Sequence, residues 1–249
     1  MIVYLTIMLC ALVLGLMVYR YDLHDREPVV LLLLVFVIGF YGMRGAGHLE
    51  DAIFRALDDG VPSIGLLAVV AGAVEESLKL LLVLAVALTF RTHFNEPLDG
   101  LVYGAFAGLG MALEESFHYL SFTELGPSTT GQEIVRLLAH HLMGGIVGFG
   151  VGMARFRVRR WPLGLAGCFL ASFSLHVLWD VVAGLQLERL TTTGYHQAAA
   201  IALMMAAVIL FGFLVTIGGN WSRERFAPGD ERTRWAWPFT MLVGRRRAT

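Results

Sequence analysis

Ala73-Val-Glu-Glu-Ser-Leu-Lys-Leu-Leu-Leu-Val-Leu84 places two adjacent carboxylates and a lysine inside an apolar run from about Ser63 to Phe90. That run is long enough to cross a bilayer. Charges at such depth cost about 2.5 kcal/mol or more each on insertion scales, so as a rule they are paired and functional. Lys79 is the only lysine in the chain; the other 18 basic residues are arginine. Glu75 and Lys79 lie four apart on one helical face, and Glu76 lies three residues from Lys79. The plain alternative is an ion pair that only locks helices together.

Working outward, the same reading applies to most of the 249 residues. The chain is 57% hydrophobic and 16% charged, with a mean hydropathy of +0.67. That balance specifies an all-α, polytopic transmembrane bundle and excludes a soluble domain. About seven spans are expected, near residues 2–19, 29–43, 63–90, 101–122, 133–154, 161–185 and 198–217. The first, with no basic segment before it and no small-residue cleavage site after it, reads as a retained span. Between the second and third, a short amphipathic helix is expected near 46–59, with Leu49, Ile53, Phe54 and Leu57 on one face. Residues 1–217 form one membrane domain, and 218–249 an Arg-rich cytoplasmic or interfacial tail. A net charge of −1 gives no nucleic-acid signal, and two cysteines in apolar spans make no disulfide framework. Glu96, Asp99, His93, Glu124 and Glu133 read as solvated or capping residues.

Arginine sets the orientation, because cytoplasmic segments carry the basic excess. With the N-terminus outside and the C-terminus cytoplasmic, 14 arginines fall inside and three outside. Counted from the cytoplasmic span ends, Glu75, Glu76, Glu115, His140 and His176 then lie 14 or 15 residues deep. At 1.5 Å per residue this is roughly 21–22 Å for each. Four helices thus carry acid or imidazole groups at one level, in the outer half of the bilayer. His176 and Asp180, spaced i, i+4, project from one helix face. Mixed carboxylate and imidazole donors suit a divalent metal, zinc above all, with a further glutamate free to act on a water. The spacing is not the H-E-x-x-H of soluble zinc proteases.

Five stretches, in order, carry a family resemblance. Glu75-Glu76-Ser-Leu-Lys79 has the form E-E-x-x-K. Asn95-Glu-Pro-Leu-Asp-Gly-Leu-Val-Tyr-Gly104 leads from a loop into a helix. Glu115-Ser-Phe-His-Tyr119 is similar to E-N-x-x-Y, with Ser116 for Asn. His140-His-Leu-Met-Gly-Gly-Ile-Val-Gly148 has a His and a Gly eight residues on. His176-Val-Leu-Trp-Asp180 is similar to H-x-x-x-N/D. Together, over about residues 70–185, they resemble the PrsW family of bacterial intramembrane proteases, within the broader group of CAAX-processing endopeptidases and bacteriocin-processing and immunity proteins. Met143 stands where the family has Phe. The spacing to Gly148 favours His140 over His141 as the functional imidazole.

The resemblance implies hydrolysis of a peptide bond in a single-pass membrane protein near the outer leaflet of the bacterial cytoplasmic membrane. In the best-known family member the substrate is an anti-sigma factor, cut at a first site on its outer side to begin signalling, and an anti-sigma-factor-like regulator is the expectation here. In this reading Glu75 or Glu76 activates water and Lys79 keeps one carboxylate ionised. Glu115, His140, His176 and Asp180 bind a divalent metal or, without metal, orient the water and stabilise the oxyanion. Gly104, Gly108, Gly110, Gly144, Gly145 and Gly148 allow close helix approach. Two other classes compete. A proton- or cation-coupled transporter would spread its acids along a path rather than at one depth, and would often show an internal repeat. A non-enzymatic scaffold or immunity protein would tolerate loss of Glu76 or His176.

Overall fold

The computed structural model describes residues 2–22, 24–57, 62–121, 129–187 and 194–229. These form seven helices: α1 (Ile2–Tyr19), α2 (Val29–Leu57), α3 (Ile64–Thr89), α4 (Pro97–Leu120), α5 (Thr129–Arg155), α6 (Trp161–Leu187) and α7 (Gly194–Phe226). There is no strand among the described residues. By length and composition α1, α2, α5, α6 and α7 are apolar enough to cross a membrane. At 26 and 24 residues, α3 and α4 are also long enough, but they carry the charged groups. The result is a polytopic helical bundle. Its outer faces are made of side chains such as Leu5, Leu9, Leu12 and Leu16 of α1, which are exposed and suited only to lipid.

The fourth helix is the axis of the bundle, with 19 of its 24 residues buried. Its glycines let α5 approach backbone to backbone. A Cβ on Gly100, Gly104 or Gly108 would land on the carbonyl oxygen of Gly148, Gly144 or His140, and a Cβ on Gly144 or Gly148 would meet that of Gly104 or Gly100. Small residues four apart are the usual basis of such contact in lipid, where packing rather than water drives association. On the other side α2 crosses α4 almost as closely: a Cβ on Gly110 would meet the Phe36 carbonyl oxygen. On α1, Ile7, Ala11, Gly15 and Val18 are buried; Gly15 faces Phe106 and Leu109 of α4.

The ends of the helices follow ordinary capping rules. Ser63 caps α3, accepting from Leu66 N at 3.3 Å. Pro97 opens α4, and Asp99 Oδ2 accepts from Asn95 N at 2.6 Å and Glu96 N at 2.7 Å.

The structure departs from expectation at three places. The segment expected as a separate amphipathic helix at 46–59 continues α2 without a break to Leu57, since Arg44-Gly-Ala-Gly47 contains nothing that stops a helix; residues 58–61 lie outside the described residues. The tail expected from 218 begins as helix instead, because α7 runs to Phe226, stacking Trp221 on Phe149 at 5.8 Å and burying Ser222 and Arg223. The tail from 230 onward and the loop at 122–128, with Glu124, lie outside the described residues. Of the residues expected to be solvated or capping, Glu96 and Asp99 do cap α4, but they are buried, and Glu133 is buried as well. Burial pushes the Glu96 carboxyl, at the N-cap before α4, up to about 8.

The close seam gives a direct test. Gly104→Val or Gly148→Val forces α4 and α5 apart and destabilises the protein by about 1–3 kcal/mol or more, read as lost thermal stability in detergent. Gly65→Ala, where an added Cβ meets nothing, serves as control. A Gly104→Val protein as stable as the control would show that the two backbones can separate at no cost.

Candidate active site

The third helix presents Glu75 and Glu76 on adjoining faces, about 100° apart, and the structure gives them different surroundings. Glu76 and Lys79 are fully buried. Lys79 Nζ donates to Glu76 Oε1 at 2.5 Å. Ser172 Oγ of α6 donates to Glu76 Oε2 at 2.6 Å, and His176 Nδ1 stands 2.7 Å from Glu76 Oε1. Three groups from two helices thus converge on one carboxylate. Glu75, also buried, forms no such set. Its Oε2 accepts from no donor and faces His140 Nδ1 at 3.7 Å and His176 Nε2 at 3.9 Å.

The two imidazoles are held from behind. With Glu76 as acceptor, His176 carries its proton on Nδ1 and turns Nε2 toward Glu75 and toward Asp180 Oδ2, 3.4 Å away. His140 Nε2 stands 3.1 Å from Glu115 Oε2, which leaves Nδ1 on the Glu75 side. Glu115 is in turn paired with Arg136, whose Nε lies 3.3 Å from Oε1. Arg136 also pairs with Glu133 and lies over the Tyr119 ring, 4.5 Å from its centroid. The His140 and His176 rings meet edge-on at 5.4 Å. Around the cluster Asp180, Arg136 and Glu115 are partly exposed, at 33%, 22% and 18% of the side chain. The cluster is therefore sealed on the α3 side and open past those three groups.

The seven residues singled out in the sequence, Glu75, Glu76, Lys79, Glu115, His140, His176 and Asp180, come together from α3, α4, α5 and α6. His141 does not join them; its ring packs against Phe211 of α7 at 5.5 Å. Glu114, next to Glu115, is paired with Arg44 of α2 at 3.0 Å. Three participants escaped sequence reasoning. Ser172 and Arg136 each sit four residues before a site histidine, so the i, i+4 rule that linked His176 to Asp180 would have found both. Glu50 of α2 lies close enough to interact electrostatically with Glu115, His176 and Asp180; the continuity of α2 brings it there.

The arrangement fits a metal ion. Glu75, His140 and His176 each offer one ligand atom within 4.8 Å of the other two. Glu75 Oε2 and His140 Nδ1 are buried and otherwise without a partner. Ligands of a tetrahedral zinc at ~2.05 Å lie roughly 3.3 Å apart, so the 3.7 and 3.9 Å separations need contract by only a few tenths of an ångström. Carboxylates behind both imidazoles, Glu76 and Glu115, are the outer partners such ligands commonly have.

Comparison with known proteins agrees with this chemistry. The family model described as PrsW family intramembrane metalloprotease matches residues 27–214. Protease PrsW of Bacillus subtilis (strain 168) is 33% identical over 141 residues, which cover 55% of this chain and 62% of the relative. Protease PrsW of Geobacillus kaustophilus (strain HTA426) is 27% identical over 162 residues, 65% of this chain and 71% of the relative. Protease PrsW of Clostridioides difficile (strain 630) is 36% identical over 101 residues, 40% and 42% respectively. The chain thus spans under two thirds of the Bacillus relative and under half of the Clostridioides one. No solved structure matches it significantly.

The buried pair makes its own prediction. Lys79→Met strands the Glu76 carboxylate and lowers stability by about 3–5 kcal/mol, whereas Glu76→Gln/Lys79→Met together cost less than the sum of the single changes. Thermal unfolding of the three variants measures the coupling; additive losses would show that the two residues do not act as a pair.

Proposed function

This chain belongs to the PrsW family of intramembrane metalloproteases, and from that premise we propose that it hydrolyses a peptide bond of a membrane-anchored protein at the Glu75–His140–His176 cluster. The observation that carries the reading is the convergence of three ligand atoms from three helices, two of them, Glu75 Oε2 and His140 Nδ1, otherwise unpartnered, with each imidazole backed by its own carboxylate. Bacterial relatives support a place in the bacterial cytoplasmic membrane. The arginine asymmetry supports a cytoplasmic C-terminus, which puts the cluster toward the outer leaflet. A single-pass substrate, of the anti-sigma-factor kind and cut at a first site near its outer end, fits that placement.

Glu75, His140 and His176 would hold a divalent ion, zinc being the best match to one carboxylate and two imidazoles. Such an ion supplies a Lewis acid for the scissile carbonyl and lowers the pKa of a bound water. The remaining work falls to the protein. Glu76, engaged by Lys79, Ser172 and His176, keeps the His176 ring turned so that Nε2 faces the reaction. Lys79 balances that carboxylate's charge. Asp180, beside His176 Nε2 and partly exposed, borders the open side where a substrate segment enters. It takes the proton from water and returns it to the leaving amine, while Glu115, oriented by Arg136, holds the His140 ring from behind.

This division differs from the one suggested by the sequence, in which Glu75 or Glu76 activates the water and Glu115, His140, His176 and Asp180 share the metal. The reason is geometric. Adjacent carboxylates on a helix face different neighbours, and here Glu76 faces donors while Glu75 faces lone pairs.

In proteoliposomes with a co-reconstituted single-pass substrate, Glu75→Gln lowers cleavage about 10²–10⁴-fold with folding intact. Elemental mass spectrometry gives about one zinc-like ion per chain, lost in His140→Ala and His176→Ala and kept in Asp180→Asn and Glu115→Gln. Full cleavage by Glu75→Gln, or metal retained when both histidines are removed, would overturn the assignment.

A further inference from the structure

A second group of acids lies at the other end of α4. Sixteen residues separate Asp99 from Glu115, roughly 24 Å along the helix. Asp22 and Glu27, on the turn between α1 and α2, and Asp99, in the first turn of α4, each bring a carboxylate oxygen within 4.8 Å of the other two. All three are at least 98% buried, and Glu96 beside them is fully buried. We propose that Asp22, Glu27 and Asp99, with Glu96 adjacent, form an oxygen-only site for a hard divalent cation of the calcium or magnesium class.

The donors around the cluster are arranged as a cation site requires. Each carboxylate is fixed by the protein: Asp99 Oδ2 accepts from the backbone of Asn95 and Glu96, Asp22 Oδ2 accepts from Glu27 N at 3.0 Å, and Glu27 Oε2 accepts from the Tyr103 hydroxyl. The opposite oxygens of two of them, Glu27 Oε1 and Asp99 Oδ1, are buried and accept from no donor. Glu27 and Asp99 nevertheless face each other at hydrogen-bonding range. Two ionised carboxylates cannot satisfy one another, so a proton or a cation has to lie between them, and the convergence of three carboxylates suits the cation.

Arg26 and Arg225 act on Asp22 and Glu96 through space only, without an ion-pair contact. Among the described residues, no arginine or lysine forms a salt bridge with Asp22, Glu27, Glu96 or Asp99. Arg26 turns its Nε to the Asp22 backbone carbonyl at 3.3 Å and lies over Tyr19. Arg225 lies over Phe156 and Phe226. Asp25, on the same turn, accepts from the Asn95 side chain and adds further negative charge.

An oxygen-only set with no sulfur or imidazole selects hard ions over zinc or copper. Ligands at ~2.4 Å from a calcium ion span up to ~4.8 Å across it, and magnesium at ~2.05 Å requires only a modest contraction. A cation here would clamp the α1–α2 turn onto the start of α4. It is independent of the metal proposed at Glu75, which has a different donor set on other helices.

The test uses the full chain, purified in nanodiscs and freed of metal, with Ca²⁺ or Mg²⁺ titrated while thermal unfolding is followed. At 100-fold excess over Kd the melting temperature rises saturably by about 5 °C or more. Terbium bound at the site emits through tyrosine, Tyr103 being hydrogen-bonded to Glu27, and Ca²⁺ displaces it. Both signals disappear in Asp99→Asn, with Asp22→Asn as the second variant should that protein fail to fold, and both persist in His140→Ala/His176→Ala. A wild-type protein indifferent to Ca²⁺ and Mg²⁺, with stability that depends on pH alone, would mean that protons fill the cluster and would overturn the proposal. A response unchanged in both aspartate variants, or abolished by the histidine changes, would overturn it as well.

Discussion

Contact between the backbones of α4 and α5 is the constraint on which the rest of the molecule depends. Lipid offers no hydrophobic drive for helices to associate, so their attraction comes from close packing. Glycines at 100, 104, 108, 144 and 148 remove the side chains that would hold the axes apart. The seam also sets register. With the His140 carbonyl against Gly108, the His140 ring is carried up to Glu115, two turns further along α4. One turn earlier on α5, Arg136 reaches the same carboxylate. A slip of one residue along this seam would rotate His140 away and bring forward His141, which instead faces Phe211.

Around that seam the charged groups are organised so that none meets hydrocarbon alone. Lys79 and Glu76 neutralise each other in full burial, with Ser172 and His176 satisfying what the pair leaves over. Isolated charges there would be prohibitively expensive, and a buried pair becomes tolerable only when further hydrogen bonds complete it. Glu75 differs from Glu76: it is buried and its Oε2 is left without a donor. An incompletely satisfied acid beside two imidazoles is the kind of local cost that proteins retain for function rather than for stability.

Much of this could be read from the sequence, and what could not has physical reasons. Apolar runs locate all seven helices, because a span must satisfy its own backbone and announces itself by composition. The level shared by Glu75, Glu115, His140 and His176 is visible once each helix is treated as a ruler. The different fates of Glu75 and Glu76 are not, since adjacent residues on one helix look alike until their neighbours are known. Ser172 and Arg136 are ordinary residues made specific by what faces them. The continuation of α2 past Arg44 was hidden because a polar stretch resembles a break even where no proline or cap enforces one. Asp22, Glu27, Glu96 and Asp99 read as loop acids, and loops are usually wet; only the fold shows that Tyr103 and the α4 terminus enclose them.

The burial of Lys79 also gives the chain an unusual chemical character. It is the only lysine in the sequence, and it is wholly enclosed with its ammonium group held by Glu76. While the bundle is closed, amine-directed reagents find no ε-amino group to acylate. Any label that appears on that residue records a moment when α3 parted from its neighbours, so the chain carries a built-in reporter of its own breathing.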